Sequence, residues 1–115
     1  MSKGLSYYYS GTQGDIVAVA SSLPNDPSDL IGNGWTDITH PDAQGTGHVM
    51  LQNDESGLRI RFDEGKPGAP GFRGQNHYHI LNPDATSARD EYLDENGNPV
   101  GRNSKESHIL PKRGK

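Results

Sequence analysis

The clearest pattern of hydrophobic and polar positions lies at residues 58 to 63, where the two classes alternate. The apolar members are Leu58, Ile60 and Phe62, and the charged members are Arg59, Arg61 and Asp63. Successive side chains of a strand leave opposite faces, so this alternation predicts a strand with one apolar and one charged face. The preceding run HVMLQN predicts a partner strand, and Gly57 can take the left-handed position of the turn between them.

A second strand pattern occurs in the run HYHIL at residues 77 to 81. Side chains at positions i and i+2 of a strand share a face, so His77 and His79 would project together while Tyr78 and Ile80 point to the other layer. The ten residues before it, 65 to 74, hold four glycines and two prolines. That composition predicts a loop that delivers the chain to the histidine pair.

The N-terminal part of the chain predicts short helices. The run QGDIVAVASSL at residues 13 to 23 favours a helix, with Asp15 able to cap it and Pro24 ending it. Asp26 followed by Pro27 is typical of an N-cap and the first helical position, which predicts a helix of one or two turns near residues 27 to 32.

After the histidine pair, the pattern predicts short strands and turns. Asn96 and Gly97 form the dipeptide preferred in type I′ turns, and Pro99 confines the returning arm to an edge strand or a loop. The run SHILP at residues 107 to 111 is the last strand candidate. The predicted fold class is α+β, with one or two short N-terminal helices packed on a four- to five-stranded, mostly antiparallel sheet.

Length and composition fit one small domain. With 115 residues, 30% of them hydrophobic, and with 15 glycines and 8 prolines, the chain predicts a thin core and long connections. We expect a linker or flexible arm at residues 1 to 12, a single domain at 13 to 111 and a flexible basic tail at 112 to 115. The longest apolar run, residues 16 to 20, is far shorter than the roughly 20 residues of a membrane span, so no membrane partner is expected.

Charge is distributed unevenly along the chain, whose formal net charge is -4. Residues 1 to 58 carry one lysine and seven acids, whereas residues 59 to 115 carry ten lysines and arginines against eight acids. The half that contains the histidine pair is therefore mildly basic, and its basic end could follow a phosphate backbone.

If the two patterned strands are neighbours, Arg59, Arg61, His77 and His79 converge on one face of the sheet. Cleavage of RNA by its own 2′-hydroxyl needs a base for that proton, an acid for the leaving oxygen and a cation for the charged phosphorane. Imidazoles beside a guanidinium meet these needs, because imidazole titrates near neutral pH. His108 adds a further candidate from another strand, so the predicted catalytic residues are His77, His79, His108 and Arg61.

Basic and polar residues near these groups are predicted to bind substrate: Arg59, Lys66, Arg73, Tyr78, Asn82, Lys105 and Ser107. The alternative is that the histidines are ordinary solvated side chains of an exposed sheet face. Arg59 alone is also typical of a cross-strand partner for an acid. His40 and His48 are expected to be structural or solvated, and Trp35 is assigned to the core.

A metal site is the main chemical alternative. The spacing from Gly71 to His79 matches the beginning of the cupin metal motif, but the expected glutamate and glycine do not follow and no second motif is found downstream. His77, His79 and a carboxylate such as Asp63 or Asp84 could still form a facial triad. The chain has no cysteine, which excludes thiolate ligands and thiolate chemistry. The leading prediction has no cofactor and no metal.

The run from GWTDITHP through LRIRFDEGKPGAPGFRGQNHYHILNP to YLDENGNPV and SHILP resembles the C-terminal toxin domains of bacterial polymorphic toxins. These domains are carried by contact-dependent growth inhibition and Rhs-type effectors, and the resemblance covers residues 34 to 111. Many such domains are ribonucleases with the fold shared by barnase, EndoU, colicin nucleases and RelE. In that fold N-terminal helices pack on a four-stranded antiparallel sheet whose open face binds RNA.

The resemblance implies an antibacterial ribonuclease that cleaves RNA, plausibly tRNA, without a metal. It also implies secretion within a larger effector, action as a monomer in the cytoplasm of a target bacterium, and neutralisation by a cognate immunity protein. The acidic first half departs from a typical RNA-binding toxin. Two other functions stay open: a His-ligated metal-dependent enzyme, and a non-catalytic binding module such as an immunity or adaptor protein.

Overall fold

A six-stranded antiparallel sheet forms the centre of the molecule, which is described here from a computed structural model covering residues 13–112. The strands are β1 (Trp35–Asp37), β2 (His48–Asn53), β3 (Arg59–Asp63), β4 (His77–Leu81), β5 (Tyr92–Leu93) and β6 (Pro99–Val100). They pair in chain order, β1-β2-β3-β4-β5-β6. One helix, α1 (Gln13–Ser21), precedes them. The fold is therefore α+β, as predicted, with more strands than the four or five expected.

The hairpin of β2 and β3 follows from its turn. Gly57 has a φ of 81°, a conformation that is costly for a residue with a Cβ atom. Asn53 orders the turn because its side-chain oxygen accepts hydrogen bonds from the N–H groups of Glu55 and Ser56, at 3.0 and 2.9 Å. The predicted strand and turn positions are thus confirmed here.

The core lies on the apolar face of the sheet. It joins residues of β2, β3 and β4 to side chains of α1 and of the segment that follows it: Ile16, Ala20, Leu23, Leu30, Leu51, Ile60, Phe62, Tyr78 and Ile80. Each fully buried aliphatic or aromatic side chain of this kind contributes about 1.5–3 kcal/mol relative to exposure. Trp35 is also buried in this cluster, as predicted.

Two predicted elements differ from the structure. The second helix is a single 3₁₀ turn at Pro27–Asp29, capped by Asp26, whose carboxylate accepts from the Ser28 N–H at 3.0 Å. The run SHILP is not a strand, because Lys105–Ser107 forms a 3₁₀ turn and Ile109 makes an isolated bridge to Tyr78. That bridge nevertheless places the C-terminal segment beside β4.

The turn between β5 and β6 also differs from its prediction. Gly97 has a φ of 84°, but no non-glycine residue among those described has a positive φ, whereas a type I′ turn needs two such positions. Asp94 organises the turn instead, since its carboxylate accepts the N–H groups of Asn96 and Asn98, each at 2.9 Å. Pro99 lies on the edge strand β6, as expected.

The predicted arm at residues 1–12 and all of the predicted basic tail except Lys112 lie outside the described residues. Lys112 itself is tied to the domain, because its backbone N–H donates to the carbonyl of Leu23 at 2.8 Å. Among the described residues, no helix is long and apolar enough to cross a membrane.

Candidate active site

Polar side chains form two rows across the face of the sheet opposite the core. His48, Asp63 and His77 are cross-strand neighbours in β2, β3 and β4. In the adjacent row, Arg61 of β3 pairs with His79 of β4. Of the four residues expected to converge, Arg61, His77 and His79 come together here, whereas Arg59 contacts Gln52.

Asp63 is the centre of this arrangement. Its Oδ1 accepts from His48 Nδ1 at 2.6 Å and from Arg61 Nε at 3.0 Å. Its Oδ2 accepts from Arg61 Nη2 at 2.9 Å and lies 3.4 and 3.5 Å from the Nε2 atoms of His77 and His79. One carboxylate thus contacts three imidazoles and makes a bidentate pair with a guanidinium, a geometry that favours strong charge-assisted hydrogen bonds.

The contacts with cationic or donating groups determine the charge of Asp63. Burial by itself raises the pKa of the Asp63 carboxyl, but its contacts with His77, His79, Arg61 and His48 outweigh burial and hold that pKa well below its ordinary value. Burial likewise acts to lower the pKa of Arg61, yet Asp63 and Tyr92 leave it raised. The ion pair of Arg61 and Asp63 is therefore the fixed charged element of the site.

The contacts of His77 favour its protonated form, the imidazolium. Its Nδ1 lies 2.9 Å from the carbonyl oxygen of Gln75, so Nδ1 carries a proton and donates. A neutral ring would then direct the lone pair of Nε2 at the Asp63 carboxylate, whereas a protonated ring directs an N–H there. Burial acts to lower the pKa of His77, but the contacts with Asp63 and the Gln75 carbonyl leave it raised.

The surroundings of His79 favour its neutral form instead. Its side chain is 4% exposed, its Nε2 faces Asp63, and its Nδ1 is buried without a hydrogen-bond partner. The tautomer that suits these contacts has the proton on Nε2 and a free lone pair on Nδ1. Burial lowers the pKa of His79, Arg61 lowers it further, and Asp63 only partly compensates. The pKa of His79 is therefore lowered beside a histidine whose pKa is raised.

His108 completes a cluster of three imidazoles. The ring centroids are 5.1 Å apart for His77 and His79, 5.0 Å for His77 and His108, and 4.8 Å for His79 and His108. His108 Nδ1 lies 2.9 Å from the carbonyl of Ser104, and its ring stacks on Phe72 at 4.5 Å. The bridge between Tyr78 and Ile109 places His108 here, because it fixes the residue that follows His108 against β4.

These groups line an open cavity of about 750 Å³. Its rim adds the basic loop after β3 and the segment after β6, and its lining residues are His48, Arg61, Asp63, Glu64, Lys66, Arg73, His77, His79, Glu91, Tyr92, Arg102, Asn103 and His108. Arg102 is paired with Glu91 at 2.7 Å, as Arg61 is with Asp63. Among the lining residues that remain, Lys66 and Arg73 are positive and only Glu64 is negative. The lining therefore has a small positive excess before any imidazole is protonated.

Six of the residues singled out from the sequence come together in this cavity: Arg61, Lys66, Arg73, His77, His79 and His108. Arg59 is not part of the lining and instead donates from Nε to the side chain of Gln52 at 3.0 Å. Lys105 lines a separate cavity of about 400 Å³ on the other side of Phe72 and His108.

Two predicted substrate contacts are corrected by burial. Tyr78 is fully buried in the core, where its hydroxyl donates to the carbonyl of Pro24 at 2.6 Å. Ser107 is also fully buried, and its hydroxyl donates to the Ser104 carbonyl. These two expectations failed because residues adjacent to the histidines in sequence point to other layers. Asn82 is half-buried and lies outside the cavity lining, where its Nδ2 donates to the Asp90 carbonyl at 2.8 Å, and its predicted substrate contact stays a prediction.

Four residues of the site were missed or placed elsewhere by sequence reasoning. Asp63 was considered only as a metal ligand, His48 was expected to be structural or solvated, and Tyr92 and Phe72 were not considered. The hydroxyl of Tyr92 accepts from Arg61 Nη1 at 3.2 Å, and its ring lies 4.6 Å from that of His79. The alternation already put Asp63 on the same face as Arg61, so the signal for Asp63 was present.

Comparison with models of known families, with curated proteins and with solved structures finds no match to this chain. The resemblance to polymorphic toxin domains therefore stays a prediction. The chemistry of the cavity has to be argued from its own residues.

Proposed function

We propose that this protein is an endoribonuclease that cleaves RNA by transesterification, with His79 as the base and His77 as the acid. The observation that carries the proposal is the shared contact of both imidazoles with one carboxylate oxygen of Asp63, at 3.4 and 3.5 Å, inside a cavity with a basic rim. The pKa values of the two neighbouring histidines are shifted in opposite directions, that of His77 upward and that of His79 downward. Environments that move the pKa values of two neighbouring titratable groups apart are typical of an acid and base pair.

The proposed reaction uses the lone pair of His79 Nδ1 to accept the proton of the 2′-hydroxyl, and because this atom is buried the ring must turn toward the cavity to do so. The freed oxygen attacks the adjacent phosphorus, the bond from O2′ to phosphorus forms, and the bond from phosphorus to O5′ breaks. His77 gives its Nε2 proton to the departing O5′, which becomes a 5′-hydroxyl, and the other product ends in a 2′,3′-cyclic phosphate. Proton transfer by a positioned side chain contributes roughly 10²–10⁴-fold to a rate.

Arg61 is the cation that supports the charged phosphorane in this proposal. Its two contacts with Asp63 and one with Tyr92 hold the guanidinium in place while leaving N–H groups for the phosphoryl oxygens. Lys66 and Arg73 line the rim and are proposed to contact the phosphates that flank the cleaved bond. His108 is proposed as a further imidazole in contact with the substrate.

The choice of tRNA as substrate rests on the resemblance to polymorphic toxin domains. So do delivery within a larger secreted effector, action in the cytoplasm of a target bacterium, and a cognate immunity protein. A non-catalytic binding module is the competing function, and expression in bacteria without a partner protein separates the two. The proposed ribonuclease arrests growth, whereas a binding module is harmless.

The direct test is cleavage of total tRNA by purified protein in buffer containing EDTA. We expect cleavage by the parent protein and a loss of about 10²–10⁴-fold in His77→Ala and in His79→Ala. His40→Ala is the matched control, because His40 is an exposed histidine that caps a turn at Pro41–Ala43 away from the cavity lining. Variants of His77 and His79 that fold normally and cleave as fast as the parent would refute the assignment.

A further inference from the structure

The histidine cluster has a second chemical capacity, which depends on where each ring nitrogen is already engaged. His77 and His108 each direct Nδ1 at a backbone carbonyl, those of Gln75 and Ser104, both at 2.9 Å. His79 directs Nε2 at the Asp63 carboxylate. Every imidazole thus has one nitrogen held by an oxygen acceptor. The remaining nitrogen of His77, Nε2, lies 3.4 Å from Asp63 and must lose its proton before it can bind a metal.

Histidines that bind metals are held by the same kind of hydrogen bond. The ring N–H that does not face the metal donates to a carbonyl or carboxylate, which fixes the tautomer and the orientation of the ring. In His79 the nitrogen that remains is the buried Nδ1, which has no hydrogen-bond partner. A buried polar atom without a partner is uncommon and points to a group that binds there.

The three residues are also close enough to share one ion. One ring nitrogen of each of His77, His79 and His108 can be chosen so that all three lie within 4.8 Å of one another. A tetrahedral ion with metal-to-nitrogen distances of ~2.0–2.1 Å needs ligand nitrogens about 3.3 Å apart. The three rings would have to come closer together to bind one ion. His77 and His79 are anchored on β4, and the bridge of Ile109 to Tyr78 holds the backbone beside His108, so this adjustment would fall on the side chains.

From this geometry we infer that His77, His79 and His108 bind one zinc-like divalent transition-metal ion, and that this ion inhibits the protein. The site differs from the facial triad considered from the sequence, because its third ligand is His108 and Asp63 serves as an outer contact. Asp63 is unsuited to be a ligand, since Arg61 and His48 already occupy both of its oxygens. Neutral imidazoles suit zinc and its neighbours in the transition series.

The inference of inhibition rests on the proposed ribonuclease function. It follows because metal binding and proton transfer would use the same ring nitrogens of His77 and His79. A metal on His79 removes the lone pair that accepts the 2′-hydroxyl proton, and a metal on His77 removes the proton that Nε2 delivers. The bound form therefore lacks both the base and the acid. A chelator would restore them.

Binding is tested first, without reference to activity. Protein stripped with EDTA and then freed of the chelator is titrated with Zn²⁺ by calorimetry, and with Co²⁺ by its visible absorption, which reports the coordination geometry. We expect one ion per chain, and an affinity at least tenfold weaker in His108→Ala. His40→Ala, the matched histidine control, should bind as the parent does. Equal Zn²⁺ affinity in the parent and in His108→Ala, or no binding by the parent, would overturn the site.

Activity is then measured with and without one equivalent of Zn²⁺ on the same stripped protein. Loss of RNA cleavage with Zn²⁺ and its recovery with EDTA support the inference. Cleavage by stripped protein that Zn²⁺ does not change refutes the inhibition and leaves the ribonuclease function standing. Cleavage that requires Zn²⁺ refutes both inhibition and the metal-free mechanism. Zn²⁺ binding without cleavage under any condition supports the site and refutes the ribonuclease.

Discussion

At the scale of single residues, the carboxylate of Asp63 gives the histidine pair its asymmetry. His77 and His79 lie at nearly equal distances from the same oxygen, so the difference between them comes from the rest of their surroundings: burial and Arg61 act on His79, and the two Nδ1 atoms differ in their partners. The carbonyl of Gln75 fixes a proton on Nδ1 of His77, whereas Nδ1 of His79 meets no partner. One ring is thereby prepared to give a proton and the other to accept one.

The pH dependence of cleavage follows from that asymmetry. The base must be neutral and the acid protonated, the pKa of His79 is lowered from its ordinary value of 6.5, and that of His77 is raised from the same value. We expect kcat/KM in EDTA to follow a bell, with its acidic limb below pH 6.5 and its alkaline limb above it. His79→Ala should lose the acidic limb and His77→Ala the alkaline limb. A profile with both limbs on the same side of pH 6.5 would contradict the assignment.

At the scale of elements, the loop between β3 and β4 helps to hold His77 in place. Gly65 packs so closely on the backbone of Gln75 that a Cβ atom at Gly65 would lie 2.7 Å from its N, Cα and C atoms. The Gly65 N–H also donates to the side chain of Asn76 at 2.8 Å. Because the Gln75 carbonyl orients His77, this glycine contact is part of the support of the site.

Gly65→Ala is therefore expected to harm both folding and activity. Backbone has to move to admit the methyl group, at a cost of about 1–3 kcal/mol for overpacking, and the displaced Gln75 carbonyl misorients His77. Gly101→Ala is the control, since its Cβ would meet nothing closer than 3.5 Å. Denaturant unfolding and tRNA cleavage are measured for both. Equal stability and activity of the two variants would show that the contact is not rigid.

The strands that carry the site could largely be predicted from the sequence. Alternation in β3, the glycine at the turn and the HYHIL run predicted β2, β3 and β4, and with them the shared polar face of Arg61, His77 and His79. The three-residue strand β1 has too little pattern to detect, and SHILP has strand-like residues in a segment that makes a single bridge. The role of His48 depends on the pairing register with Asp63, which alternation alone does not provide.

At the scale of the whole molecule, Tyr78 connects three parts of the chain behind the site. Its backbone pairs with Ile109 of the C-terminal segment, and its hydroxyl donates to Pro24 in the segment after α1. Its ring packs against Phe62 of β3 with centroids 5.1 Å apart. The residue between His77 and His79 in sequence is thus a core residue that fixes the layers relative to each other.

Tyr78→Phe separates this structural role from the substrate contact expected from the sequence. The variant leaves the buried carbonyl of Pro24 without its donor, which costs about 1–3 kcal/mol of unfolding free energy. Below its melting temperature the variant should keep the kcat and KM of the parent. A raised KM with unchanged stability would instead show that Tyr78 contacts RNA.

Metal-free transesterification of RNA, the activity proposed for the cavity, leaves a chemical signature on the ends of its products. Fragments from a tRNA digest in EDTA are analysed by mass spectrometry. We expect 2′,3′-cyclic phosphate on one side of each cut and a 5′-hydroxyl on the other. Ends that carry a 5′-phosphate and a 3′-hydroxyl, or intact RNA under conditions in which the protein is folded, would contradict it.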